Sequence, residues 1–156
     1  MFETIVWATD GSELADRALP YVKELARANR SRIVAVHANE LLRGRFGGAP
    51  LFADEPDVRE GIERQVEELK ADGFDVELKV ANGTSDTPEL IAHAAMEVDA
   101  DLIVLGTHGH GGFKSAVLGS VARGLLHAAT CPVLAIPPER GVAETARDGE
   151  KATTCC

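Results

Sequence analysis

Short apolar runs rich in β-branched residues alternate along this chain with segments whose apolar residues recur at helical spacing, and that alternation leaves few folds open. The runs are TIVWAT (Thr4 to Thr9), RIVAVHA (Arg32 to Ala38), DVELKV (Asp75 to Val80), DLIVL (Asp101 to Leu105) and PVLAIP (Pro132 to Pro137). Each is too short for a stable helix and reads as a strand. Between them lie stripes such as Leu14, Ala18, Val22 and Leu25, then Val58, Ile62, Val66 and Leu69, then Leu90, Ile91, Ala94, Ala95 and Val98. Strand and helix in strict alternation predict an α/β fold: an open, doubly wound, five-stranded parallel sheet with helices on both faces. DVELKV alternates polar and apolar residues, which suits an edge or half-exposed strand.

Local signals bound the helices. Ser12 follows the Asp10-Gly11 turn and is placed to cap the first helix. Pro20 lies inside that helix's stripe, where it removes the bond to the Asp16 carbonyl and predicts a bend. Pro56 opens the second helix, Gly73 closes it, Thr87 and Pro88 start the third, and Ser120 reads as the cap of the fourth. Residues Asn39 to Glu55 carry Gly44, Gly47, Gly48 and Pro50 and are long for a plain connection. From Pro138 onward the chain is polar and patternless, so we expect one domain over residues 1–137 and a disordered tail over 138–156.

The 156-residue chain is 45% hydrophobic, enough for a single core. No run of about 18 apolar residues suggests a membrane-spanning helix, and the start, MFETIVWATD, lacks a basic leader. The expected compartment is therefore the cytoplasm. A net charge of -9 argues against a nucleic-acid groove, yet leaves room for a nucleotide, because a nest of backbone N–H groups binds phosphate locally. Cys131 reads as a small core residue, and Cys155 and Cys156 as an exposed end.

The most informative stretch is GTHGHGGFKSAVLGS, Gly106 to Ser120, between the fourth strand and the fourth helix. Five of its fifteen residues are glycine. Gly106, Gly109, Gly111 and Gly112 are expected to allow positive φ and close backbone approach to a ligand. Gly119 and Ser120 stand at a helix mouth, where N–H groups and the helix dipole favour an anion. Lys114 and Arg123 are nearby cations. Phe113, not glycine, precedes Lys114-Ser115, which excludes a Walker A loop. A dinucleotide fingerprint read from Gly109 would need glycine at Lys114, and would follow the first strand rather than the fourth. On this reading a Gly119→Val, Ser120→Val change removes phosphate donors while the chain still folds.

Gly106-x2-Gly109-x9-Gly119-Ser120 is similar to the signature of the ATP-binding branch of the universal stress protein family. The resemblance extends over roughly residues 1–137 and includes ATDGS, VHA, DLIVLGTHG and LGSVARGLLHAATCPVLAIP. It implies strand order 3-2-1-4-5 and ATP as ligand, with Mg²⁺ as an optional companion. It also implies a site: Ala8, Thr9 and Asp10 along the adenosine, and Ala38 against the adenine. Leu105 and Gly106 form the other wall and ribose region, His108 and Gly109 begin the phosphate loop, and Gly119, Ser120 and Val121 hold the terminal phosphates. The family commonly dimerises through its last strand, here Val133 to Ile136.

Bland readings accompany these. His108 and His110 lack the convergent donors of a zinc site. His37 reads as a structural histidine, and His93 and His127 as surface or packing residues. Asp10 is suited equally to a ligand and to a turn held through the Gly11 and Ser12 amides. No water-positioning acid or amide and no Walker B acid is evident, so a dedicated ATPase is not expected, although slow hydrolysis stays open. The leading function is a stress-response homodimer whose conformation or partners depend on ATP. The alternatives are a nucleotide-independent interaction module and, behind it, an adenylating enzyme.

Overall fold

The computed structural model describes residues 1–42, 51–52, 56–108 and 118–138. The elements, in chain order, are β1 (Thr4–Ala8), α1 (Glu13–Asp16), α2 (Leu19–Asn29), β2 (Arg32–Leu42), β3 (Leu51–Phe52), α3 (Pro56–Ala71), β4 (Val76–Gly83), α4 (Thr87–Glu97), β5 (Leu102–Gly106), α5 (Ser120–Ala128) and β6 (Val133–Ile136). Five strands form a parallel sheet in the order β4-β2-β1-β5-β6. Counting the parallel strands alone, this is the expected 3-2-1-4-5. The two-residue β3 pairs antiparallel with the far end of β2.

Residues alternate between the two sheet faces, and each face has its own core. Ile5, Trp7, Ile33, Ala35, Leu102 and Val104 pack with Ala18, Val22 and Ala26 of the α1–α2 region and with Val66 and Leu69 of α3. Val6, Ala8, Val34, Val36, Ile103 and Leu105 pack with Ile91, Ala92, Ala94 and Ala95 of α4 and Ala122 and Leu125 of α5. Every residue of β1 is buried, as parallel strands covered on both faces must be. Each fully buried aliphatic side chain contributes about 1.5–3 kcal/mol. At the entry to the sheet, Asp101 accepts hydrogen bonds from the Glu3 and Thr4 amides at 2.7 and 2.9 Å. Those two bonds hold its carboxyl below the usual carboxylate range.

Four local expectations change. Pro20 does not bend one helix but divides two: Ala18 N–H donates to the Ala15 carbonyl at 3.0 Å in a tight turn, and α2 restarts with Pro20 in its first turn. A proline there forfeits no helical hydrogen bond. Ser120 is the first residue of α5, and the cap position belongs to Gly119, which provides no side-chain cap. The span from Asn39 is not wholly a loop: β2 runs to Leu42 and β4 to Gly83, well past the predicted ends. Cys131 is half-buried and packs against the edge of the second core rather than inside it. Burial, with the Asp101 carboxylate as a second cause, pushes its thiol above the usual range. Cys155, Cys156 and the expected tail from Glu139 lie outside the described residues.

The packing of α5 on α4 generates a paired prediction. A Cβ on Gly124 would lie 2.4 Å from Pro88 Cγ, whereas one on Gly61, in the middle of α3, would meet nothing within 4 Å. Gly124→Val is therefore expected to destabilise by about 1–3 kcal/mol. Gly61→Ala should stabilise by up to about 1 kcal/mol. Urea unfolding of both variants checks the pair.

Candidate functional site

From β1 the chain crosses to β2 and β4 on one side and returns to β5 on the other, so strand order reverses between β1 and β5. The helices follow suit: α2 and α3 cover one face, α4 and α5 the other. Beyond the C-terminal ends of β1 and β5 the connections part to opposite faces and leave a crevice, where ligands of open α/β sheets bind. The last ladder partner of β1 on β2 is Val36, opposite Ala8, while β2 stays paired with β4 as far as Glu40. Ala38 through Glu40 thus overhang the end of β1 and form a wall.

Side-chain alternation sets the floor. Ala8 faces Leu105 across the β1–β5 pair, and both are buried in the core under α4 and α5, with Ala38 and Val121 packed against the same cluster. Three small or apolar strand residues therefore share one face at the crevice, beside the start of α5. Ala81, the ladder partner of Ala38, continues that surface.

The polar residues around the crevice are held tightly. Thr9 N–H donates to the Val36 carbonyl at 3.0 Å, and its own carbonyl is bonded to His37 Nδ1 at 3.1 Å. His37, buried on the opposite face, has the structural role expected of it. Asp10 Oδ1 accepts from Ser12 N–H at 3.0 Å and from Ser12 Oγ–H at 2.6 Å, and Ser12 Oγ accepts from Ala15 N–H at 3.2 Å as the cap of α1. The turn role of Asp10 thus uses Ser12, while Gly11 N–H goes to Thr9 Oγ1. On the β2 overhang, Asn39 Nδ2 donates to Asn82 Oδ1 at 2.9 Å. Glu40 receives the Thr87 amide and hydroxyl, closing the first turn of α4.

The α5 side rests on a close backbone crossing. Gly119 N–H donates to the Thr107 carbonyl at 2.9 Å. A Cβ on Gly119 would sit 2.6 Å from that oxygen, and one on Gly106 would sit 2.7 Å from the Leu14 carbonyl. Gly119 has φ of -59°, so its requirement is space, not a positive φ. The positive-φ glycines among the described residues are Gly11 and Gly73, which corrects the expectation for Gly106. It also overturns the idea that Gly119→Val leaves the fold intact. Ser120 is exposed at the first position of α5, and the amides of such a first turn have no partner within the helix. His108, half-buried, meets Thr107 Oγ1 through Nδ1 at 2.9 Å.

Ala8, Thr9, Asp10, Ala38, Leu105, Gly106, His108, Gly119, Ser120 and Val121 thus all lie at the C-terminal end of the sheet. Gly109, His110, Phe113 and Lys114 lie outside the described residues. Arg123 is exposed on α5, and His93 and His127 are exposed on their helices. Thr107, Asn39 and Glu40 were not singled out by sequence, since nothing in their spacing signals a backbone crossing or a cap from a distant strand. Among the described residues, no group of three or more His, Cys, Asp or Glu is gathered as a metal site. An open groove of about 430 Å³ lies elsewhere, between Arg17, Pro20, Tyr21 and Glu24 and the end of β6 at Ile136 and Pro137.

A doubly wound sheet with a loop-lined crevice at its switch point places this chain in the open α/β class. The chain belongs to the universal stress protein family, whose model matches residues 1–137. A universal stress protein of Thermus aquaticus is 34% identical over 145 residues, covering 87% of this chain and 99% of that protein. The solved structure of MJ0577, from Methanocaldococcus jannaschii, superposes with a TM-score of 0.74 at 24% identity, covering 90% of this chain and 99% of that one. A universal stress protein of Archaeoglobus fulgidus, solved in complex with dAMP, is 28% identical with a TM-score of 0.62, covering 87% and 98%.

The crossing at Thr107 generates a prediction of its own. Gly119→Ala should destabilise by about 1–3 kcal/mol, because its methyl must displace a backbone carbonyl. Ser120→Ala, at an exposed neighbour, should stay within about 0.5 kcal/mol of the parent. Urea unfolding of the two variants separates packing at this point from anything a ligand requires.

Proposed function

We propose that this chain binds ATP in the β1–β5 crevice and acts as a regulatory stress protein, a homodimer whose conformation or partners follow nucleotide occupancy. One observation carries the reading: Ala8, Ala38 and Leu105 form an apolar floor on one sheet face, directly beside the side-chain-uncapped N-terminus of α5. An apolar slot next to helix amides that have no partner within the helix suits a purine joined to phosphates. The dAMP complex of the A. fulgidus relative supports an adenine nucleotide in such a place. In this reading Ala8, Ala38 and Leu105 hold the base, and Thr9, Asp10 and Gly106 line the sugar. His108 and Gly109 begin the phosphate loop, and the Ser120 and Val121 amides with the Ser120 hydroxyl take the terminal phosphates. Mg²⁺ would be held chiefly by those phosphates and water.

The dimer rests on β6. It pairs with β5 on one edge, and Val133, Leu134 and Ala135 remain half-exposed, an edge that a second copy would cover. Sedimentation equilibrium should read a dimer, and a monomer across the micromolar range would remove this part of the proposal.

The nucleotide is tested by denaturing the purified protein and resolving the released small molecules against ATP, ADP and AMP by ion exchange. Ser120→Asp is the informative variant. Its carboxylate favours the N-terminus of α5 yet repels phosphate, so it should keep the fold and weaken ATP binding by at least about tenfold. Protein that carries no nucleotide and fails to bind added ATP would instead support an interaction module of the same fold.

A further inference from the structure

On the other face of the sheet, away from the apolar floor, α1 and α3 meet through two polar side chains. Gln65 Nε2 donates to Asp16 Oδ2 at 2.8 Å. The remaining oxygens, Asp16 Oδ1 and Gln65 Oε1, are shielded from solvent and have no hydrogen-bond partner among the described residues. Both are acceptors when the carboxyl is ionised. Turning the Gln65 amide over exchanges its two ends and leaves the same shortage of one proton. Buried acceptors without donors cost about 1–3 kcal/mol each, and a proton on Asp16 Oδ1 would supply the missing donor between two groups already joined through Asp16 Oδ2.

We propose that Asp16 and Gln65 form a proton-dependent latch between α1 and α3. A proton on Asp16 Oδ1, donated to Gln65 Oε1, closes a cyclic acid–amide pair. Its loss to solvent opens half of that pair and leaves a charge on a half-buried carboxyl. The setting makes Asp16 easier to protonate than an exposed carboxyl. Burial holds the Asp16 carboxyl above the usual carboxylate range, with the Asp10 and Glu13 carboxylates pushing the same way and the Gln65 hydrogen bond opposing them. Among the described residues, the charged groups acting on it from its own element and the preceding turn are these two acids. On α3, Arg64 and Glu68 beside Gln65 are exposed, as is Arg17 next to Asp16. Because Ser12 caps α1 and is itself held by Asp10, the latch ties the loop after β1 to α3. The latch stands on this packing and not on the nucleotide reading.

The sign follows from linkage. A folded-state pKa above the unfolded value gives a contribution fully present below the unfolded pKa and lost as pH rises through the folded one. Asp16→Asn supplies a permanently neutral amide that can make both hydrogen bonds. It should match the parent in acid and exceed it in stability above the Asp16 titration. Within that window the ratio of their unfolding constants should change by up to about tenfold per pH unit. Two measurements on the full chain test this: ¹³C titration of the Asp16 side-chain carboxyl, and urea unfolding of parent and Asp16→Asn from about pH 4 to about pH 8.

The expected result is an Asp16 midpoint above the free-peptide value, lowered by Asp10→Asn, with the variant's advantage absent in acid, growing as pH rises toward that midpoint and constant above it. An ordinary midpoint, a midpoint that Asp10→Asn leaves unmoved, or an Asp16→Asn chain less stable across the range would overturn the proposal. The carboxyl titration needs no variant, so a substitution that fails to fold leaves it decisive.

Discussion

Strand β1 is hydrogen-bonded on both edges and covered on both faces, and every other element takes its place from that strand. A five-residue run with no exposed side chain needs helices above and below it, which is why the connections must alternate between faces. Its short length matters as much as its burial. β1 ends at Ala8 while β2 continues beside β4 to Glu40, so the central strand stops below its neighbour and leaves a recess. The recess is thus produced by unequal strand lengths at the point where connections diverge.

Backbone contacts keep that recess in shape. On one side the α5 start is drawn onto Thr107 so closely that Gly119 has no room for a side chain, and Gly106 is pressed against the Leu14 carbonyl. On the other side Thr9 is bonded to β2 through both its amide and its carbonyl, the latter by way of His37. Glu40 reaches from the overhanging strand to cap α4. The crevice walls are therefore parts of the hydrogen-bonded sheet and its helix ends. The glycines at 106 and 119 serve the fold before they serve any ligand, which changes how substitutions there are to be read.

Much of this was legible in the residues. The strands and helices announced themselves by period, Ser12 and Pro56 marked helix starts by their own chemistry, and the parallel order followed from the family resemblance. The ends of β2 and β4 were not legible, because Asn39, Glu40, Asn82 and Gly83 are poor strand formers held by a cross-strand Asn–Asn bond. Pro20 reads as a bend because its apolar stripe continues on both sides, yet a missing amide is cheapest at a helix start. Ser120 was read as a cap from its residue type, whereas the geometry gives that position to the glycine before it.

The sequence by itself determined the α/β class, the positions of the five strand runs, the glycine-rich connection after β5 and the family, since each is carried by local period or by spacing along the chain. Only the tertiary structure decided that Ala8, Ala38 and Leu105 share one face, that Thr107 receives Gly119, and that Asp16 meets Gln65 across 49 residues of chain. Those contacts depend on register and on the relative lengths of neighbouring strands. Such quantities arise when separate segments are packed together, and no single segment encodes them.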